Sequence, residues 1–252
     1  MNSNVEGLNK VARITLLFWI LKIIGTTLGE TLGDYISMTL NLGYAVGITV
    51  TFFSFCAILA FQLASKKHNS FLFWMVIVAT TTLGTEISDF INRSLHLGYA
   101  FGSILLVFCL AVTLLLWFRK YKNLEMYPIA EKQKELFYWI AILFSNSLGT
   151  AFGDFLSDNL GLGYLYGAVI TASIILIVVL LHYTTKLNHV LLFWIAFVFT
   201  RPFGATFGDF LTKPVSKGGL EVGTLFSSVI SISLMILLIC LSYRQQKEVK
   251  EN

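Results

Sequence analysis

The chain has 252 residues, of which 56% are hydrophobic and only 13% are charged, and its formal net charge is +4. A soluble domain is about one quarter charged, so this composition excludes an ordinary soluble protein and indicates a membrane protein. Most of the basic residues lie in loops beside apolar spans, so the positive charge does not indicate nucleic-acid binding.

Eight apolar segments follow one another along the chain, separated by short polar or charged turns. They cover roughly 11–34, 43–64, 71–90, 98–118, 136–155, 163–183, 190–211 and 222–243. Each approaches the roughly 20 residues that a helix needs to cross a bilayer. The N-terminal residues lead into the first span without a small-residue cleavage site, so we expect a membrane helix there and no cleaved signal peptide.

A sequence phrase that occurs four times divides the chain into repeats. Each copy has a tryptophan followed 15 positions later by an aspartate: Trp19 and Asp34, Trp74 and Asp89, Trp139 and Asp154, Trp194 and Asp209. Internal repeats of this length govern a whole architecture. We therefore predict an all-α polytopic membrane protein whose eight transmembrane helices form four parallel, tandem two-helix repeats in a pseudo-symmetric bundle.

The spacing of the copies divides the chain into two halves. Copies one and two are 55 residues apart, as are copies three and four, but the middle offset is 65. We predict a first half at 1–119, with repeats at 11–64 and 71–118, and a second half at 136–252, with repeats at 136–183 and 190–243. A charged cytoplasmic linker at 120–135 joins them.

The basic residues of the short loops predict the orientation, because they fall mostly on the side of that linker. Both termini are therefore expected in the cytoplasm and the aspartate turns on the outside. The expected location is a bacterial inner membrane, with the lipid bilayer as the partner. The sequence leaves open whether several copies form a homo-oligomer.

Ionisable side chains interrupt the first span of each repeat. Fifteen helical residues cover about 22 Å, which places the four repeat aspartates just inside the far edge of a hydrocarbon layer of about 30 Å. Glu30 and Glu86 lie about one turn deeper, and Arg201 lies only about 10 Å from its tryptophan. Charged groups at such depth usually face a partner, a cavity or a transported ion. Arg201 is expected either to pair with a glutamate or to act in gating or substrate binding.

Small and polar residues share the faces of these spans. Glycines four apart, such as Gly29 and Gly33, predict a close approach of neighbouring helices. Beside them we predict a polar path formed by Thr27, Thr82, Asn146, Ser147 and Arg201. The repeat tryptophans are interpreted as an aromatic belt at the membrane surface, and Arg93 as a solvated residue.

The predicted site consists of hard oxygen donors. The cation-binding or translocation residues are expected to be Asp34, Asp89, Asp154, Asp209, Glu30 and Glu86, with the four aspartates as metal ligands. Such groups suit protons, Na⁺, Mg²⁺, Ca²⁺ or Mn²⁺ better than copper or zinc. We predict a transporter that moves a hard cation such as Mn²⁺ or Mg²⁺, either alone or coupled to protons. No resident cofactor is expected, because a divalent cation or a proton would be the transported species.

Other interpretations stay open at this stage. The Gly-Asp pairs also suit helix termination or capping at a membrane edge, where Asn, Ser or Thr would serve as well. The chain would then be a non-transporting scaffold or a regulatory membrane protein. Export of a small organic solute is a further alternative. An enzyme is not expected, because the spans contain no metalloprotease, hydrolase or Ser/His/Asp motif.

The repeated phrases resemble a family of bacterial and archaeal integral membrane proteins built from a fourfold repeat of unknown function. The resemblance runs from about Leu16 to Tyr243. The matching residues are Gly29, Gly33 and Asp34; Gly84 and Asp89; Gly149, Gly153 and Asp154; Gly204, Gly208 and Asp209. Two departures are Ser88 in place of the second glycine, and the loss of the Leu-Gly-Tyr phrase in the fourth copy. The resemblance implies the repeated fold and no particular activity.

Overall fold

The computed structural model describes residues 10–12, 14–65 and 68–251, with side chains as far as Tyr243. The first nine residues and three basic positions used for the predicted orientation, Arg13, Lys66 and Lys67, lie outside the described residues. The described part of the chain is all-helical, with no strand.

Eight helices in the described residues are long and apolar enough to cross a membrane. They are α1 (Leu16–Asp34), α2 (Tyr44–Ala64), α3 (Ser70–Asp89), α4 (Tyr99–Tyr121), α5 (Lys132–Asp154), α6 (Gly163–Thr184), α7 (His189–Thr212) and α8 (Thr224–Glu251). Helices α1, α3 and α5 continue past their aspartates as π-helical turns at Tyr35–Thr39, Phe90–Ser94 and Phe155–Asn159. The predicted architecture of four two-helix repeats is confirmed.

Polar caps determine where the first helix begins in three of the four repeats. Thr15 Oγ1 accepts a hydrogen bond from Phe18 N at 3.3 Å, and Asn69 Oδ1 accepts one from Leu72 N at 3.1 Å. These bonds satisfy backbone donors that have no partner inside the helix. Helix α1 therefore begins at Leu16 and not at residue 11 as the hydropathy suggested. Residues ahead of the cap are held elsewhere: Lys10 N donates to the Ile129 carbonyl at 2.9 Å.

The helices form two concentric rings. The inner ring consists of α1, α3, α5 and α7, each of which contacts the next, and α7 closes the ring on α1. The outer helices do not pack mainly on their own repeat: α2 packs on α3, α4 on α5, α6 on α7 and α8 on α1. Between 61% and 67% of each inner span is buried, against 22% to 28% of each outer span. The outer helices thus present most of their apolar surface to the surroundings and shield the inner four.

Glycines allow the inner helices to approach closely. The glycine ten positions after each repeat tryptophan faces the residue seven positions after the tryptophan of the next repeat. The four pairs are Gly29 with Thr81, Gly84 with Asn146, Gly149 with Arg201 and Gly204 with Thr26. The last pair joins the fourth repeat to the first, so one contact is repeated around the whole ring, as expected for small-residue stripes between membrane helices.

Aromatic side chains fill the end of the inner ring where its helices start, which we call the tryptophan end. The ring of Phe18 lies 5.5 Å from that of Trp74, and the ring of Phe73 lies 5.4 Å from that of Trp139. Trp74, Trp139 and Trp194 are at most 6% exposed. The aromatic-belt interpretation was therefore wrong for these three: they pack against one another's helices because the inner ring lies behind the outer one.

Candidate functional site

The four repeat aspartates lie at the opposite end of the inner ring, which we call the aspartate end, and they are paired by two bases. The first group, the Lys213 cluster, consists of Asp34, Asp209 and Lys213. Lys213 Nζ lies 2.5 Å from Asp34 Oδ2 and 3.2 Å from Asp209 Oδ1. Burial lowers the pKa of Lys213, but the charges of Asp209 and Asp34 outweigh it and raise that pKa above its usual value. Lys213 is therefore a protonated counter-ion for two aspartates.

The second group, the Arg93 cluster, consists of Asp89, Asp154 and Arg93. Arg93 Nε lies 3.4 Å from Asp89 Oδ1, and Arg93 Nη2 lies 3.5 Å from Asp154 Oδ2. The guanidinium also donates to the hydroxyl of Tyr99 at 2.7 Å and to that of Tyr44 at 3.0 Å. The Arg93 side chain is 26% exposed, but two aspartates and two tyrosines hold its guanidinium, so its interpretation as a solvated residue was wrong.

The two clusters are related by the repeat. Arg93 and Lys213 both stand 19 positions after their repeat tryptophan, where repeats one and three have Met38 and Asp158. Each base pairs with the aspartate four residues earlier in its own repeat and with the aspartate of the next repeat. Met38 Sδ lies 3.9 Å from the nearest nitrogen of both bases. The backbone repeat is fourfold, but the charges at the aspartate end follow a twofold pattern.

Deeper in the ring, Glu30 and Arg201 form a buried ion pair. Arg201 Nη2 lies 2.9 Å from Glu30 Oε2, and neither residue is more than 3% exposed. The guanidinium also donates to Thr85 Oγ1 and to the Thr26 carbonyl, at 3.2 Å for the carbonyl. Arg201 therefore connects α7 with α1 and α3. The sequence-based expectation that Arg201 pairs with a glutamate is met by Glu30.

A third polar layer lies nearer the tryptophan end and was not anticipated. Lys22 is fully buried, and its ammonium donates to Asn146 Oδ1 at 3.2 Å and lies 4.0 Å from the centroid of the Phe197 ring. Asn146 Nδ2 donates to Thr80 Oγ1 at 3.1 Å. All four inner helices thus contribute one side chain to this layer. The signal in the sequence was a lysine inside an apolar run, LLFWILKIIG, which is costly unless the lysine is satisfied inside a bundle.

Glu86 stands apart from the other carboxylates. Its side chain is fully buried against Gly47 of α2, and neither oxygen accepts a hydrogen bond within the described part of the chain. Ser37 lies beside it, but the Ser37 hydroxyl donates to the Gly33 carbonyl at 3.0 Å. The structure therefore does not bring Glu86 together with a base.

The predicted polar path is only partly assembled around the ring axis. Asn146 and Arg201 take part in the layers described above, whereas Thr82 and Ser147 donate to backbone carbonyls of their own helices. Thr27 is 5% exposed, and its hydroxyl has no hydrogen-bond partner among the described residues. These three hydroxyls follow the ring-lining position by one residue, so a rotation of about 100° turns them away from it.

One part of this interior has the composition of a metal site. Single carboxylate oxygens of Glu30, Asp34 and Asp209 all lie within 4.8 Å of one another. Oxygen ligands at such spacing suit Mg²⁺, Ca²⁺ or Mn²⁺. Lys213 lies against two of the three carboxylates, and Arg201 lies against the third. The arrangement can therefore hold positive charge, and in this conformation it holds side-chain cations.

A cavity elsewhere is lined by apolar side chains and has a different character. It has a volume of about 310 Å³ and lies among α1, α2, α3 and α8, with Leu28, Trp74 and Met235 in its wall. None of the repeat carboxylates lines it. We interpret it as a lipid-facing groove and not as part of the charged site.

Fold and interior together define a multi-pass helical protein made of four tandem repeats around a charged core. The repeats match the family model described as Repeat of Unknown Function (DUF347), at residues 17–68, 72–123, 137–188 and 192–248. The chain belongs to this family, as its sequence resemblance indicated. No curated protein and no solved structure matches the chain.

Proposed function

We propose that the protein is a membrane transporter of a hard cation, with Mn²⁺ and Mg²⁺ as the first candidates. The observation that supports this most is a charge imbalance among the buried or half-buried groups of the ring. Six carboxylates (Glu30, Asp34, Glu86, Asp89, Asp154 and Asp209) accompany four bases (Lys22, Arg93, Arg201 and Lys213). With every group charged, the formal excess is two negative charges; protonation of Glu86 would relieve one of them, and a bound cation or a further proton would relieve the other.

The positions of the buried charged residues within the ring support a cation path more than they support helix capping. Polar layers occur at three depths, from Lys22 through Arg201 to the two aspartate clusters. Capping alone would require neither the buried arginine nor the buried lysine. We propose that the cation enters at the aspartate end and that this end faces the outside of a bacterial inner membrane. Labelling of a Ser216→Cys variant by an impermeant maleimide on intact cells tests that orientation.

The transport proposal is tested by flux in proteoliposomes loaded with a metal-sensitive or pH-sensitive dye. The panel contains Mn²⁺, Mg²⁺, Ca²⁺ and Na⁺, with Asp34→Asn and Asp209→Asn as the inactivating variants. Asp158→Asn is the matched control, because Asp158 is exposed and lies outside both clusters. We expect flux of one cation in the wild type and the control, and none in the other two. Absence of flux for every cation, in vesicles with folded protein, would contradict the proposal.

A non-transporting scaffold is the second candidate, because the bases already present explain the aspartates as structural ion pairs. That function predicts a different result for the same variants. Asn at position 34 or 209 would lower the melting temperature, and no cation would cross the vesicle membrane in any version of the protein.

A further inference from the structure

We propose that Lys213 is a built-in competitor of the transported cation: its ammonium occupies the carboxylate site in this conformation and leaves when a cation binds. This inference rests on the proposed function and concerns the regulation of the same site. Its first support is position. Lys213 Nζ contacts two of the three carboxylates that lie within metal-binding range of one another.

The second support is that one of these carboxylates has an oxygen that accepts no hydrogen bond within the described residues. Asp209 Oδ1 is buried and accepts no hydrogen bond within the described residues, and Lys213 Nζ lies 3.2 Å from it as an ion-pair partner. A buried carboxylate oxygen without hydrogen bonds is costly unless a cation compensates it. Removal of the ammonium would therefore leave a site that favours another cation.

Comparison with Arg93 shows why Lys213 is the base that can leave. Arg93 contacts two aspartates and two tyrosine hydroxyls, which hold its planar guanidinium in one position. Lys213 contacts its two aspartates and the sulfur of Met38. A lysine ammonium on a flexible stem exchanges partners more easily than a multiply bonded guanidinium.

Lys213 leaves by rotation of its side chain. Its backbone is anchored, because Lys213 N donates to the Asp209 carbonyl at 2.8 Å and the Lys213 carbonyl accepts from Glu221 N at 3.0 Å. The side chain is 16% exposed, so rotation about its own bonds brings the ammonium to the surface.

The first experiment measures Mn²⁺ binding to the purified full chain in detergent, using the electron paramagnetic resonance signal of free Mn²⁺. Lys213→Met and Lys213→Gln remove the competing charge, and Lys217→Met removes an exposed lysine of the same loop as the matched control. If Lys213 occupies the site most of the time, its removal raises the apparent affinity by about tenfold or more. The control is expected to stay within about twofold, because an exposed charge is screened. The inference would be overturned if the Lys213 variants bound Mn²⁺ no more tightly than the control. It would also be overturned if they showed no saturable Mn²⁺ binding.

A second measurement needs no variant and covers the case in which the Lys213 substitutions fail to fold. Wild-type protein is treated with an amine-reactive ester with and without Mn²⁺, and modification is quantified by mass spectrometry. Mn²⁺ should increase modification of Lys213 severalfold and leave Lys217 unchanged; no increase at Lys213 overturns the inference. Cation flux in the wild type, without tighter Mn²⁺ binding by the Lys213 variants and without increased modification of Lys213, would contradict only the competitor role. Binding and displacement without flux would contradict only transport.

Discussion

Glu30 and Glu86 are both buried, but only Glu30 is paired with a base. Glu30 lies against Arg201 and accepts from Thr85 Oγ1 at 3.3 Å. Glu86 lies against Gly47, accepts no hydrogen bond within the described residues, and has Asp89, Asp34 and Glu30 as charged neighbours. An isolated charge there would be expensive, so the neutral form of Glu86 is the one that fits its surroundings.

These surroundings predict that the same Glu→Gln substitution has a large effect on stability at position 30 and a small one at position 86. Glu30→Gln leaves Arg201 buried without its counter-ion and should lower stability by about 3–5 kcal/mol. Glu86→Gln replaces a neutral acid by a neutral amide of the same shape and should change stability by about 0.5 kcal/mol or less. Unfolding of the purified protein in detergent measures both. Equal destabilisation would mean that Glu86 is charged and has a partner.

Arg201 should depend on Glu30 in a way that a double-mutant cycle detects. Arg201→Met alone leaves the Glu30 carboxylate uncompensated, whereas the pair of Glu30→Gln and Arg201→Met leaves neither charge. We expect the double variant to be more stable than the sum of the single effects predicts, by about 1–3 kcal/mol. Additive effects would show that the two side chains do not act as a pair.

At the scale of the helices, two glycines of α1 that are only one turn apart differ in how closely α3 approaches them. A Cβ at Gly29 would overlap the side chain of Thr81 and lie 2.9 Å from its backbone carbon. A Cβ at Gly25 would lie 3.5 Å from Ile77 Cγ2, which is ordinary contact. The spacing of four in the sequence does not distinguish them, because only the position of α3 decides which glycine is compressed.

Alanine substitutions should therefore differ in sign. Gly29→Ala forces α1 and α3 apart and should cost about 1–3 kcal/mol. Gly25→Ala is its matched control, since alanine favours the helix by about 1 kcal/mol and meets no obstacle. The melting temperatures of the two variants measure this difference in stability. A stable Gly29→Ala protein would contradict the close α1 and α3 contact.

At the scale of the whole molecule, the ring is closed by contacts between its first and last repeats. Helix α8 packs on α1, where the hydroxyls of Thr31 and Ser228 lie 2.8 Å apart. Helix α6 instead packs on α7, with Thr171 bonded to carbonyls of its own helix. The first and last membrane-spanning helices, which are distant in sequence, are therefore neighbours in space.

A cysteine pair can test this closure in a chain whose Cys56, Cys109 and Cys240 have been replaced. Thr31→Cys with Ser228→Cys should form a disulfide on mild oxidation, because the hydroxyls of the two native side chains lie 2.8 Å apart and thus face each other across the α1 and α8 contact. A protease site placed between α4 and α5 then shows whether the halves stay joined on a non-reducing gel. Thr31→Cys with Thr171→Cys is the control and should separate. Cross-linking into dimers only would indicate closure between copies.

The sequence indicated which residues carry buried charge where the motif recurs, but it did not indicate ion-pair partners that come from different repeats. Asp34 and Asp209 stand out because the motif recurs, and Arg201 because a charge deep in a span demands a partner. The bases of the two clusters were missed or dismissed. Their shared position, 19 residues after a tryptophan in repeats two and four, was visible in the sequence, but their pairing with two aspartates each was not.

The sequence by itself determined the all-helical membrane architecture, the four repeats and the placement of acidic groups near one end of each first span. Hydrophobic length and periodic small residues carry that information locally. Only the tertiary structure decided that each outer helix covers the next repeat, that three of the repeat tryptophans lie inside, and that Arg93 and Lys213 pair with all four repeat aspartates. The physical reason is that the energy of a buried charge depends on neighbours supplied by other helices, and those neighbours are brought together only when the ring closes.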